Sequence, residues 1–478
     1  MSAPGVNVTA MTTTPRTART PKAEYRCAEC GWQTAKWVGR CGECQAWGTV
    51  EEAAGGSVAV GRGTAALAPA SPAVPIDQVD TDLVRLQPTG VGELDRVLGG
   101  GLVPGAVVLL AGEPGVGKST LLLDVAAKAA TSGTGRRVLY VTGEESASQV
   151  RLRAERIGAL RPRLYLAAES DLATVLGQIE ACDPQLLVLD SVQTIASADV
   201  DGAAGGVAQV RAVAAAIIAV AKRKHLPVLL VGHVTKDGGI AGPRVLEHLV
   251  DVVCQFEGDR HSRLRMVRAV KNRYGPTDEV GCFDLTDSGI EGLPDPSGLF
   301  LSGSGLVQPG TCATVTLDGR RPMPIEIQAL VTPGTEKHPR RATSGVESSR
   351  VNMTLAVLQA LLDVRLGGCD VFVSTIGGAR AVEPAADIAV ALAVASAETG
   401  RVIRAGLVAI GEVSLAGELR PTVGIDRRLA EAARLGFTSA VVPARTAREA
   451  RAPEGLRLLP AASLAEAAQH ALAGLSLA

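Results

Sequence analysis

Four near-continuous apolar runs punctuate the middle of the chain: VVLLAG (107–112), RVLYVTG (137–143), LLVLD (186–190) and PVLLVGH (227–233). Each is too short for a helix and closes on a glycine or a polar residue. Strands buried on both faces read this way. Helical stretches such as TLLLDVAAKAA (120–130) separate them. The alternation predicts an α/β domain over 81–300, a parallel sheet with helices on both faces. In RHSRLRMVRAVKNRYG (260–275), Arg263 and Arg265 alternate with Leu264 and Met266, which predicts an amphipathic strand with a wet arginine face. The third part, 310–478, opens with the strands TCATVTL and IEIQALV, passes a loop-like 332–349, and continues through Ala-rich helices over 383–398 and 426–436.

One stretch of that third part raises a chemical question. The strand-like VFVSTI (371–376) ends in Gly377-Gly378, and Glu383 and Asp387 flank the start of an apolar helix. Such a layout positions the nucleophile in some hydrolases, yet neither Ser nor Cys stands there.

Composition narrows the possibilities. The 478 residues carry a net charge of -1 with 20% charged side chains, so any nucleic-acid contact must come from local basic clusters. Aromatics make up 3%, so the cores are built from Ala, Val and Leu. No run approaches the roughly 18 apolar residues that span a bilayer. Residues 1–24 lack the apolar centre of a signal peptide and read as a disordered tail. The expected compartment is the cytoplasm, where nine cysteines serve as metal ligands and buried thiols rather than disulfides. Residues 51–80, rich in Ala, Gly and Pro, read as a linker.

Residues 25–50 hold CAECGWQTAKWVGRCGECQAWG, two C-x-x-C pairs ten residues apart. Cys27, Cys30, Cys41 and Cys44 have the spacing for one tetrahedral Zn²⁺. A module this small buries no core of its own, so the metal would supply its folding energy. Gly31 and Gly42 fall where tight turns are needed. Trp32, Trp37 and Trp47 could stack on bases; the expectation is that they pack over the knuckle.

GEPGVGKS fits the phosphate-binding loop pattern, between an apolar strand and a helix. Gly112, Glu113, Pro114, Gly115, Val116, Gly117, Lys118, Ser119 and Thr120 would surround the phosphates of ATP, with backbone N–H groups as the cradle. Lys118 would reach the β/γ oxygens, and Ser119 would hold Mg²⁺ together with Asp190, which ends LLVLD. Glu144 and Glu145 stand at a strand's C-terminal end, where one could orient the attacking water. His233 is poised to sense the γ-phosphate. The loop after it carries Lys236, Gly238, Gly239 and Arg244, suited to gripping a sugar-phosphate backbone. Lys271 and Arg273 could reach a neighbour's ATP.

Together these residues resemble the bacterial RadA/Sms family of DNA-repair ATPases, with a RecA-like P-loop core. The resemblance runs from Tyr25 to the C-terminus. It rests on the four-cysteine knuckle, TGVGELDRVLGGGLVPG, the phosphate loop, VTGEES, LLVLDSVQT, GHVTKDGGIAGPRVLEH and KNRYG, where Tyr274 replaces the family's usual Phe. It implies a homo-oligomeric, hexameric ring with ATP between subunits, Lys271 and Arg273 acting in trans, Glu144 as the water-orienting acid, and the loop after His233 holding single-stranded DNA in the channel. It also implies branch migration of recombination intermediates alongside RecA. An ATP-switched DNA scaffold that does not translocate stays open beside the motor reading.

Residues 310–478 resemble the proteolytic domain of Lon, an α+β fold of the ribosomal S5 domain 2-like type. Where that family carries a nucleophilic Ser, Pro384-Ala385-Ala386-Asp387 places Ala385. Asp426, Arg427 and Arg428 fill the charged triplet of the segment that supplies its Lys. The residues argue the same way unaided. The last lysine is Lys337, and past the loop that holds it and His338, His470 is the one candidate histidine. A nucleophile needs a base close by, and arginine stays protonated. The expectation is therefore an inactive, ring-forming scaffold, with Arg350, Arg380 and the arginines near 427 either lining a duplex-DNA surface or pairing with Glu383, Glu412 and Glu418.

Overall fold

The computed structural model describes residues 25–52, 73–78, 85–131, 135–233, 245–258, 262–301, 308–334 and 339–472. The chain divides into two compact units, Met1–Val79 and Asp80–Ala478.

In the first unit, strand Tyr25–Cys27 pairs antiparallel with both Gln33–Thr34 and Val50–Glu52. Cys27, Cys41 and Val50 are buried, and Trp32 packs against them. Gly31 takes a φ of +78°, as a turn glycine does. Gly42 has a different reason to be glycine: a Cβ there would lie 2.8 Å from Trp32. The expectation that all three tryptophans pack over the knuckle fails for two of them. Trp37 and Trp47 stand 64% and 75% exposed, because so small a cluster has room for one indole.

The second unit contains two large sheets. The nine-stranded one sets Leu164–Ala168, Val138–Thr142, Leu186–Asp190, Val228–His233, Val107–Gly112 and Val252–Glu257 side by side in parallel. Leu264–Asn272, Val280–Thr286 and Gly289–Gly292 extend it as an antiparallel meander. Helices Lys118–Thr131 and Val207–Lys224 bury their apolar faces against it in two separate clusters. Val107, Leu109 and Leu187 face one cluster, and Val108, Leu110 and Val188 the other, which is why the strand sequences lack polar alternation.

The seven-stranded sheet is mixed, and its two longest strands, Thr311–Asp318 and Arg321–Pro333, form a hairpin. Helix Asp387–Thr399 lies in its core, with every residue from Asp387 to Ser396 buried, so it is apolar all round. It starts at Asp387 rather than 383 because Pro384–Ala386 forms a separate 3₁₀ turn. The stretch read as a loop contains the edge strand Arg341–Ser344, whose RATS sequence has no apolar alternation to announce it.

A buried ion pair ties the seven-stranded sheet to helix Gly92–Leu98, which packs on the nine-stranded one. Arg321 donates to Glu93, to the carbonyl of Val280 at 3.0 Å and to that of Pro294 at 2.8 Å. Glu93 also accepts from the backbone N–H of Cys282 at 2.9 Å. Both side chains are 4% exposed. Arg268 adds a two-pronged pair with Asp318. No helix among the described residues is long and apolar enough to cross a membrane.

Candidate functional site: a phosphate-binding loop at the carboxyl ends of the parallel strands

Gly112 ends its strand so close to the neighbouring one that a Cβ would lie 2.4 Å from the carbonyl oxygen of Phe256. Gly117, at φ +107°, turns the chain into helix Lys118–Thr131 in a region closed to L side chains. Between them, Glu113, Pro114 and Gly115 are exposed, Val116 is buried, and Ser119 and Thr120 follow on the helix, half-buried. The arrangement aims a helix N-terminus and loop N–H groups at one spot, which is a cradle for phosphate.

Lys118 is 3% exposed, and its Nζ donates to the carbonyls of Gly112 and Glu113, each at 2.8 Å. Burial pulls its pKa down to about 8, against the attraction of Asp190 and Glu144. An arriving triphosphate would restore the favourable field for the ammonium. Arg265 was expected on a wet strand face, yet it is 6% exposed and donates from Nε to the Val116 carbonyl at 3.2 Å. The strand's inward face carries Arg265, Val267 and Ala269, while Leu264 and Met266 pack against the core of the seven-stranded sheet. The period-2 expectation holds for Arg263, which is exposed, and for Leu264 and Met266, which pack inward; it fails for Arg265, because its side of the strand is covered as well.

Asp190 lies beside the loop, 5% exposed. Its Oδ2 accepts from the Tyr140 hydroxyl at 2.6 Å, while Oδ1 is buried with no protein partner. Burial and the Asp190 carboxylate hold the Tyr140 phenol protonated. An orphaned carboxylate oxygen next to a phosphate cradle and a serine is a donor set that fits a hard divalent cation such as Mg²⁺. Sequence reasoning missed Tyr140; an aromatic hydroxyl in the middle of a buried, mostly aliphatic strand was its one signal.

Glu144 accepts from the Ser191 hydroxyl at 2.6 Å and lies 3.0 Å from His233 Nε2. The His233 carbonyl accepts from Gln193 at 3.3 Å. Lys118, Glu144, Asp190 and His233 therefore gather at one end of the sheet. Lys236, Gly238, Gly239 and Arg244 lie outside the described residues.

Lys271 and Arg273 stand at the other end. Asn272 pairs with Val252, which pairs with Val108, at the start of the strand that closes on Gly112. Lys271 donates to the carbonyls of Glu247 and Val250 at 2.7 and 2.8 Å, and Arg273 to Asp251 at 3.2 Å. The four residue steps from Val108 to Gly112 separate the two ends by about 13 Å, at roughly 3.3 Å per residue.

In the first unit, the Sγ atoms of Cys27, Cys30, Cys41 and Cys44 lie within 4.8 Å of one another. Cys27 and Cys44 are 3.7 Å apart, and Cys30 and Cys41 3.5 Å. A tetrahedron with Zn–S bonds of about 2.3 Å has edges of roughly 3.8 Å, so the residues fit the ion. The Thr49 hydroxyl, then the N–H of Cys30, hold the Cys27 thiol down to about 6, toward the thiolate a metal takes.

Comparison with known proteins gives three family matches: an AAA domain over residues 75–239, a rubredoxin metal binding domain over 25–52, and the Lon protease (S16) C-terminal proteolytic domain over 368–473. The DNA repair protein RadA of Mycolicibacterium smegmatis is 56% identical, over 94% of this chain and 96% of its own. That of Mycobacterium tuberculosis is 54% identical, over 94% and 93%. That of Bacillus subtilis is 39% identical, over 95% and 99%. The chain belongs to the RadA family of DNA repair proteins.

RadA membership sharpens the question posed by the Lon-like domain. Ala385 is 1% exposed, in a buried aliphatic cluster with Val315, Val408 and Ile410. Glu383 accepts from both terminal nitrogens of Arg428, one of them at 2.8 Å, and from the N–H of Leu317 at 2.7 Å. Arg428, 2% exposed at its side chain, also donates to the carbonyls of Val315 and Val423. Asp387 pairs with both Nε and Nη2 of Arg350, which lies 3.6 Å from Glu412. Both acids at the helix start are thus partners of arginines. His470 sits against the Pro460 carbonyl at 3.0 Å. Arg380 and Arg427 are exposed.

Proposed function

We propose that this DNA repair ATPase is a ring-forming motor on single-stranded and branched DNA. It hydrolyses ATP with Mg²⁺ between subunits and drives branch migration of RecA-made recombination intermediates. The observation that carries the reading is the separation of the two basic elements along one sheet. Lys118 and the phosphate loop occupy the carboxyl ends of the parallel strands, and Lys271 and Arg273 the amino ends. Lys271 and Arg273 cannot reach their own chain's nucleotide. If they touch ATP, it is a neighbour's, and head-to-tail repetition of that contact closes a ring.

Within one site the roles follow from position. Loop N–H groups and Lys118 bind the β/γ-phosphates, and Ser119 and the free oxygen of Asp190 hold the cation. Bound Mg²⁺ would neutralise charge on the phosphate oxygens. Glu144 orients the attacking water, and His233 sits between Glu144 and the glycine-rich segment with Lys236 and Arg244. Loss of the γ-phosphate would free His233 and so change the start of that segment, coupling hydrolysis to DNA grip.

The test is complementation between defective subunits. Lys118→Ala and Lys271→Ala should each be inactive alone. A mixture should regain DNA-stimulated ATPase activity, because an intact loop from one chain then meets an intact Lys271 from the other. No recovery in the mixture, under conditions where rings form, would refute the shared site. Branch migration of a RecA-made joint molecule should be lost in both single variants. ATP-dependent DNA binding without strand movement in the wild type would favour the scaffold.

A further inference from the structure

The zinc module carries a surface that the ATPase reading leaves unused. Trp37 and Trp47 are the two most exposed of the chain's three tryptophans, and both border Gly39. A Cβ on that glycine would lie 3.7 Å from Trp37 and 4.0 Å from Trp47. A side chain there would stand between the rings.

The chain around them is braced. Arg40 and Trp47 form an antiparallel bridge, and the N–H of Gly48 donates to the Gly39 carbonyl at 2.9 Å. Cys41 and Cys44, two of the four metal-ligating thiols, lie inside the same turn. The Arg40 guanidinium sits 5.7 Å from the centre of the Trp47 ring, fixed by its Nε bond to the Gln45 carbonyl at 2.9 Å. Lys36 is exposed next to Trp37. Two large apolar rings are thus held outward by a turn that carries two of the four clustered thiols, with the Arg40 cation against Trp47 and Lys36 next in sequence to Trp37.

We propose that Trp37 and Trp47 form a stacking platform for unpaired bases, a single-stranded DNA contact separate from the ATPase core. The proposal rests on the reading that the protein works on single-stranded DNA. Charge selects that partner over duplex. Residues 25–52 hold three cations (Arg26, Lys36, Arg40) against four carboxylates (Glu29, Glu43, Glu51, Glu52), so the module has no surplus with which to track a phosphate backbone. Stacking must carry the contact, and only unpaired bases present their faces. Lys36 and Arg40 then meet the phosphates flanking the stacked bases.

All three tryptophans lie in this module, so tryptophan emission of the full-length protein, excited where its four tyrosines do not absorb, reports on the module alone. A thymidine oligonucleotide, added without nucleotide, should quench that emission in step with the rise in anisotropy of a labelled strand. Duplex of the same length should not quench it. Trp37→Ala and Trp47→Ala should each weaken strand binding by roughly five- to hundredfold, the range for one lost base stack. Zinc content and basal ATP turnover should stay unchanged, and Trp37→Phe should recover part of the loss. If the labelled strand binds while emission stays constant and both alanine variants bind as wild type does, the pair serves a protein partner and the platform is wrong, with the ATPase reading intact. If the strand binds neither without nucleotide nor with ATP, both readings fall; binding that appears only with ATP and leaves the emission constant removes the platform alone.

Discussion

Two places in this molecule share a plan: an apolar strand, a glycine turn, and a helix whose first residues face the turn. In one, Val107–Gly112 leads into Lys118–Thr131; in the other, Cys369–Thr375 leads through Gly377 and Gly378 to Asp387–Thr399. They differ in how their polar groups are satisfied. At the first, Lys118 borrows two loop carbonyls and Asp190 keeps one buried oxygen without a partner. At the second, Glu383 and Asp387 are each gripped by an arginine through two nitrogens, and Ala385 is sealed among aliphatic neighbours. Unmet polar capacity marks a place suited to receive a ligand; complete internal pairing marks a place whose charged groups hold the fold together.

The sharpest way to break this contrast is to remove the central group from each side. Lys118→Ala should lower ATP turnover by at least a hundred- to thousandfold, the scale of one lost charge-stabilising donor. Its thermal unfolding should match wild type, since the burial of an ammonium is relieved. Normal turnover would mean that the loop is not the phosphate site. Arg428→Ala should do the opposite. Leaving Glu383 without its cation costs about 3–5 kcal/mol, so denaturant unfolding should shift strongly while turnover per folded molecule holds. Replacing both partners together, Arg428→Met with Glu383→Leu, should recover much of that loss. A single variant as stable as wild type would show that the pair is incidental.

The contrast was partly legible in the sequence. The phosphate loop, the four strands and the knuckle are local patterns, set by residues within about a dozen positions of each other, and the structure contains all of them. The absence of a lysine after residue 337 already argued against a Ser–Lys dyad. Long-range pairings were not legible. Glu93 meets Arg321 across 228 positions, and Arg265 meets Val116 across 149. Nothing in the neighbourhood of either arginine says which carboxylate or carbonyl will arrive. The same blindness put the tryptophans in the wrong place, because whether an indole packs depends on how much core the folded module has to offer.

A smaller effect tests whether the free oxygen of Asp190 is assigned by Tyr140. The hydroxyl is the partner that occupies Oδ2 and so leaves Oδ1 for the cation. Tyr140→Phe removes it with little change in volume. The carboxylate then loses its fixed orientation, so the Mg²⁺ concentration for half-maximal turnover should rise about tenfold, the low end for loss of a partner of a metal ligand. Nucleotide binding in the presence of a chelator should not change. An unaltered Mg²⁺ dependence would reduce Tyr140 to packing.

The smallest effect is expected from the change that looks most provocative. Ala385→Ser restores the hydroxyl at the position where the Lon family has its nucleophile. Above it the helix start is unchanged, but the groups around it are Glu383 held by Arg428 and Asp387 held by Arg350. Neither arginine takes a proton at neutral pH, and both carboxylates already accept from guanidinium nitrogens. The new hydroxyl would have no base and would be buried against Val315, Val408 and Ile410. The variant should lose about 1–3 kcal/mol for an unpaired buried hydroxyl, and should cleave neither casein nor a fluorogenic peptide, with or without ATP. Cleavage that appears with Ala385→Ser and is absent from wild type would mean that a base lies within reach after all, and that pairing alone does not separate the two sites.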